Sequence, residues 1–260
     1  MTPRVFSRLA DLARFGLGLA GAVLLTLLWM FAGSALTVEL PGAPGVAAAV
    51  ALVALFLYVH VRRGWLRDRV GRRLDLAPVR LPHALLGVAV VLTLFVANVF
   101  AAAWLVGWDG TDAEAEPTNL LVRAVVFVAL APLAEEVGFR GWVQTPLEAH
   151  LSPAVAVVLV AGVFAAVHGD AGFVIRFTGG VLMGATVWAA GSVWPAVALH
   201  AVNNGAAALL SLEPLGASVE AALSATEPQW GPLALGLYAA AATGGTRWVQ
   251  RVRESNRPAV

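Results

Sequence analysis

Three short groupings in this chain combine residue types that do proton chemistry with spacings that put them on one helix face. They are Glu135-Glu136-Val137-Gly138-Phe139-Arg140, Phe164-Ala165-Ala166-Val167-His168 and His200-Ala201-Val202-Asn203-Asn204. Glu136 and Arg140, at i and i+4 in the acid-first order, are spaced for an ion pair on one helix face. That pair leaves Glu135 without a partner in its own helix, and a carboxylate without a cation in an apolar setting is a candidate proton acceptor and donor. His200 and Asn204 face the same way and offer hydrogen-bond donors. Hydrolysis of an amide needs a base for water, donors for the oxyanion and an acid for the leaving amine, and these residue types supply all three. Each grouping also has a blander reading: a structural ion pair, a histidine at a helix end, and hydrogen bonds between the helices of a membrane bundle.

The segments that must position these residues are strongly apolar. Of 260 residues, 59% are apolar and 13% charged, about half the ~25% charged share of an ordinary soluble domain. No Asp, Glu, Lys or Arg lies between Arg14 and Glu39, Glu39 and Arg62, Arg80 and Asp109, Glu148 and Asp170, Arg176 and Glu213, or Glu227 and Arg247. Gaps of that length suit helices that cross a ~30 Å hydrocarbon layer. This composition excludes a secreted domain, a DNA-binding module and a disordered tail. Cysteine is absent, which excludes disulfides, thiolate zinc sites and a cysteine nucleophile.

The gap from Arg176 to Glu213 is too long for one helix and contains Gly191 and Pro195, so it reads as two. The expected architecture is an all-α, polytopic membrane helix bundle of about eight transmembrane helices, near residues 15–38, 42–61, 83–107, 119–147, 153–169, 172–190, 193–211 and 229–247. The apolar run of the first is longer than the ~7–15 residues of a signal peptide's core, so it is expected to be a retained helix. Arginines before the first span, between Arg62 and Arg80, and after the eighth all fall on one side of an eight-span bundle. The positive-inside rule makes that side the cytoplasm and puts both termini there. The segment from Arg62 to Arg80 then reads as a cytoplasmic loop, with Trp65, Leu66, Val70 and Leu74 on one face of an interfacial helix, and no nucleic-acid partner is expected. The Gly180 to Gly184 spacing reads as helix packing. One integral-membrane domain, 1–260, accounts for the chain, with a motif-bearing core at about 119–211, and the cell membrane is the expected location.

Depth arithmetic at 1.5 Å per residue tests whether the groupings can meet. Glu135 lies ~24 Å down from the outer start of its span; His200 and Asn204 lie ~11 and ~17 Å up from the inner start of theirs. Glu135 and His200 are thus about one helical turn apart in depth, with Asn204 one turn higher. His168, ~22 Å up its own span, comes out too far toward the outside, so that span must start later, tilt or break.

The ordered triplet resembles the motifs of the CPBP family of intramembrane proteases, which includes the Ras-converting type of CAAX prenyl endopeptidase and the abortive-infection or bacteriocin-immunity proteins. Glu135 to Arg140 stands for EExxxR, Phe164 to His168 for FxxxH and His200 to Asn204 for HxxxN/D. The resemblance implies that Glu135 is the general base for water and His168 helps position that water. It further implies that His200 and Asn204 stabilise the oxyanion, while Arg140 holds Glu136 and orients the pair. The implied partners are membrane lipids and a membrane-associated protein or peptide substrate, CAAX-type or other. Whether a metal takes part stays open: Glu135, His168 and His200 are the residue types of a His₂Glu zinc site, whereas the paired glutamates need no metal and the His-Glu-x-x-His spacing is absent. Two other classes compete with the protease. A proton-coupled transporter also uses intramembrane Glu, Arg and His, but no inverted repeat is evident and the polar groups form one cluster. A non-catalytic scaffold or immunity protein would keep the fold and work by binding.

Overall fold

The computed structural model describes residues 79–106, 123–169, 172–210, 212 and 215–256, with isolated positions 16, 17, 20, 21, 24, 26, 28, 48, 50 and 52. The spans expected at 15–38 and 42–61, and nearly all of the basic segment 62–80, lie outside the described residues. Among those described, the chain is all helical with no strand. Its helices are α1 (Leu81–Val106), α2 (residues 123–147), α3 (Pro153–Ala166), α4 (Phe173–Ala190), α5 (Trp194–Leu210), α6 (Leu215–Thr226) and α7 (Trp230–Ser255). Leu81–Leu105 and Phe173–Ala190 are each long and apolar enough to cross a membrane, and α5 with α6, bent by 87°, pass the same test as a pair.

The helix carrying Glu135 is not a regular one. Along α2, a π-helical stretch Arg123–Leu130 gives way to α-helical Ala131–Glu135, a second π stretch Glu136–Gln144 and a last turn Thr145–Leu147. In the π register an N–H reaches five residues back, as Thr145 N–H does to the Arg140 carbonyl. Pro132 opens the α-helical piece and has no N–H to give the preceding turn. The register therefore changes where the chain cannot continue its own hydrogen bonds.

α3 starts cleanly, with Ser152 Oγ accepting from Val155 N–H at 3.4 Å and Pro153 in the first turn. It is apolar on all sides: Ala156, Val157, Val160, Ala161 and Phe164 are buried, while Val155, Val158, Leu159 and Val163 are exposed. A helix in water would carry polar groups on that outer face, and its apolarity is what a lipid-facing helix requires.

α4 ends where the sequence predicts a break. Gly191 adopts φ +67° and gives its N–H to the Val187 carbonyl, a left-handed C-cap that a side chain would strain, and Pro195 lies in the first turn of α5. The α4 glycines seat neighbours from two helices. A Cβ on Gly180 would stand 3.1 Å from Ala161 Cβ and 3.3 Å from Arg140 Nη2, and one on Gly184 would stand 2.7 Å from Gln144 Oε1 and 3.1 Å from Val157. Gln144 cannot retreat, because it is fully buried and its Nε2 donates to the Gly184 carbonyl at 2.9 Å. Gly184→Ala gains up to ~1 kcal/mol of helix propensity against an overpacking cost of ~1–3 kcal/mol. The expected result is a lower thermal midpoint in detergent, and a midpoint at or above that of the unmodified protein would contradict this packing.

Two elements differ from expectation. α6 occupies the stretch left between the spans expected at 193–211 and 229–247; it is rich in alanine and leucine, good helix formers, and Leu223 is buried, its carbonyl accepting from Trp230 Nε1 at 2.9 Å. α7 runs to Ser255, past the expected end at 247, because arginine ends an apolar run without ending a helix. Its buried face continues through Trp248 and Val252, and Trp248 Nε1 donates to Thr186 Oγ1 at 2.9 Å. Gly87 lets that indole lie flat on α1, with room for a Cβ only 3.1 Å from the ring.

Candidate active site

The three groupings converge on one cavity of about 380 Å³. Glu135, Glu136 and Arg140 reach it from α2, His168 from the turn after α3, and His200 and Asn204 from α5, with α1 and α4 completing its wall.

His200 joins the two glutamates. Its Nδ1 lies 2.8 Å from Glu136 Oε1 and its Nε2 lies 3.8 Å from Glu135 Oε2. With Glu136 ionised, Nδ1 carries the proton, so Nε2 is the nitrogen that faces Glu135. Glu136 is fully buried, and its other oxygen, Oε2, lies 3.2 Å from Arg140 Nε. The pair spaced i and i+4 therefore forms, although the helix there is in π register. Arg140 is itself 1% exposed; Nη2 donates to the Gly180 carbonyl at 3.3 Å and Cζ stands 4.6 Å over the Phe164 ring. A buried guanidinium with a carboxylate, a carbonyl and an aromatic face around it is held in one orientation.

Phe164 also organises both histidines. Its ring meets His168 edge-on at 4.8 Å and His200 at 6.2 Å, and Phe139 closes the cluster at 5.2 Å. The Phe164 carbonyl sits at the end of α3 and takes a hydrogen bond from His168 Nδ1–H at 2.7 Å. A carbonyl only accepts, so that bond assigns the His168 tautomer and leaves Nε2 as the nitrogen with the lone pair in the neutral ring. Whatever its depth, His168 reaches the cavity that Glu135 and His200 line, from beyond the end of α3 at Ala166. His168 lies in the turn beyond it, before Gly169 at φ +68°.

Asn204 is placed by a backbone defect. Pro132 has no N–H to give the Phe127 carbonyl, five residues earlier in a π register, and Asn204 Nδ2 donates to that carbonyl at 2.9 Å. One of the two amide hydrogens is committed there, and the second remains for the cavity.

Several residues around the site were not singled out from the sequence. Asn98 of α1 is 5% exposed and lines the cavity, and Gln144 is fully buried one π turn beyond Arg140. Asn98 had a signal in sequence, a lone amide inside an apolar run of some twenty residues, where polar groups mark function or helix contacts. Phe127 had none, since its part is played by a backbone carbonyl.

The donor set was compared with a His₂Glu metal site. The tautomers suit ligation, since each Nδ1 is held by an oxygen, leaving Nε2 as a donor atom. The spacing does not: among the described residues no three His, Asp or Glu side chains close around one point as metal ligands do. No step is therefore derived through a metal.

Residues 117–206 match the model of the family described as Rce1-like, type II CAAX prenyl endopeptidase Rce1-like. All six residues of the three groupings fall inside that segment. No curated protein and no solved structure matches the chain.

Proposed function

From the premise that residues 117–206 are a segment of the Rce1-like, type II CAAX prenyl endopeptidase family, we propose that the protein is a multi-pass intramembrane endopeptidase of the cell membrane. It cuts a peptide bond of a membrane-associated substrate, CAAX-type or other, near the cytoplasmic side. The bundle has about eight transmembrane helices with both termini in the cytoplasm, as the arginine distribution orients it. The observation that carries this reading is the position of Glu135 in the shared cavity beside His200, separate from the buried Glu136–Arg140 pair.

The chemistry follows from the two carboxylates having different surroundings. Glu136 is committed to Arg140 and to His200 Nδ1, so it positions other groups. Glu135 Oε2 and His200 Nε2, 3.8 Å apart, are close enough for one water to touch both. Glu135 takes a proton from that water as its oxygen attacks the peptide carbonyl carbon. The oxyanion so formed is met by the remaining amide hydrogen of Asn204 and by His200, which carries a proton on Nε2 as well as on Nδ1 before the water is activated. His168 helps to hold the water. Glu135 then returns the proton to the leaving nitrogen as the C–N bond breaks, giving a carboxylic acid and an amine. Nothing in this sequence of steps calls for a metal.

The test is cleavage of a membrane-anchored peptide library by inverted membrane vesicles, which present the cytoplasmic face to added substrate, and by the purified protein with and without chelator. Cleavage in inverted vesicles that survives chelator, with no stoichiometric metal by elemental analysis, is the expected result. Chelator-sensitive cleavage with one bound metal would reassign Glu135, His168 and His200 as zinc ligands. No cleavage of any library peptide in any condition would shift the weight toward a non-catalytic membrane scaffold. Gathering of the polar groups of the three groupings into one cavity speaks against a proton-coupled transporter.

A further inference from the structure

We infer that Asn98 is a substrate-positioning residue: its carboxamide is held so that its N–H groups meet a backbone carbonyl of the peptide in the cavity. The inference rests on the endopeptidase reading above and adds a residue from outside the matched segment, in α1.

Asn98 Oδ1 accepts from Tyr238 Oη of α7 at 2.7 Å; Thr178 Oγ1 of α4 lies 3.3 Å away, with its one proton shared by the Val174 and Ile175 carbonyls at 3.0 Å. A separation of 2.7 Å is that of an O–H···O bond, so the end of the amide that meets Tyr238 is oxygen, and the NH₂ group lies on the opposite side. That nitrogen donates to no group among the described residues, although Asn98 is 5% exposed and lines the cavity that holds Glu135 and His200. The other residues that α1 gives to the wall are apolar, Phe95, Val99 and Ala102. Helix-to-helix contact alone would be satisfied by the oxygen. A donor that faces the cavity with no protein acceptor is free to meet one carried by the substrate. In an extended peptide the recurring acceptors are its main-chain carbonyls. A fixed amide donor across from the base would hold the chain in register, so that one peptide bond reaches Glu135.

The experiment uses the full chain in detergent and a membrane-anchored peptide that it cleaves in a Glu135-dependent manner. A thioamide, a poorer hydrogen-bond acceptor, replaces each peptide bond flanking the scissile one in turn. In the unmodified protein one substitution should lower kcat/KM by about tenfold, the effect of weakening one buried hydrogen bond. In Asn98→Ala the all-oxygen peptide should be slower by a similar factor, and the thioamide at that position should cost nothing further. Tyr238→Phe, which removes the hydroxyl that orients the amide, should shrink the same penalty with a smaller loss of rate. A residue that only ties helices together would lower the thermal midpoint and slow every peptide alike, leaving the thioamide profile unchanged. That profile in a folded Asn98→Ala overturns the assignment while the endopeptidase reading stands. Absence of any Glu135-dependent cleavage in the unmodified protein overturns both.

Discussion

Glu135→Gln is expected to lower the rate of peptide cleavage by about 10²–10⁴-fold, the range over which a positioned general base accelerates proton transfer. Glutamine keeps the shape and polarity of the side chain but cannot accept the proton of water. The substitution should leave the scaffold intact, because the tight contacts of this cluster, Glu136 to His200 at 2.8 Å and to Arg140 at 3.2 Å, do not involve Glu135. Initial rates on one membrane-anchored peptide, with thermal midpoints in the same detergent, separate loss of chemistry from loss of fold. A variant as stable and as fast as the unmodified protein would remove Glu135 from the mechanism.

The second large effect is on stability. Arg140→Met removes the guanidinium beside the fully buried Glu136 carboxylate, the contact with the Gly180 carbonyl and the cation over Phe164. Removing one member of a buried pair costs about 3–5 kcal/mol, because the remaining charge has no water to turn to. A folded yield far below normal, or a sharply lower thermal midpoint, is expected. Replacing both partners, Glu136→Gln with Arg140→Met, should recover part of that loss, since no charge is then left alone. If the single variant melts with the unmodified protein, the pair is not the clamp that these distances describe.

Some of this was legible in the sequence because it depends on local spacing. Glu136 and Arg140 are neighbours on almost any helical turn, and Gly191 with Pro195 stops a helix whatever surrounds it. The all-α class follows from long apolar runs, since a hydrocarbon layer leaves the backbone no partner but its own chain. The arithmetic also brought Glu135 and His200 to similar depths, and they lie 3.8 Å apart at their nearest polar atoms.

The arithmetic failed where its assumption of regular, full-length helices failed. It did not show that α3 stops at Ala166 and that His168 lies in the turn beyond it, at the cavity that Glu135 and His200 line. The π register of α2 was equally invisible, although Pro132 and Pro146 mark its edges. α6 and the extension of α7 escaped because charge gaps measure apolar length, and helices continue through charged and small residues.

The sequence by itself determined which groups are present for chemistry and that apolar helices carry them. Only the tertiary structure decided how the two adjacent glutamates part company. Glu136 is sealed between Arg140 and His200, while Glu135 is left at the cavity beside the other face of the same imidazole. It likewise decided that Asn204 answers the Phe127 carbonyl and that Asn98, far away in the chain, lines the same wall. The physical reason is that these choices depend on contacts between helices, where one bond to a carbonyl or hydroxyl from a distant segment sets the direction of a side chain. Residue types and short-range spacing carry no record of such a partner.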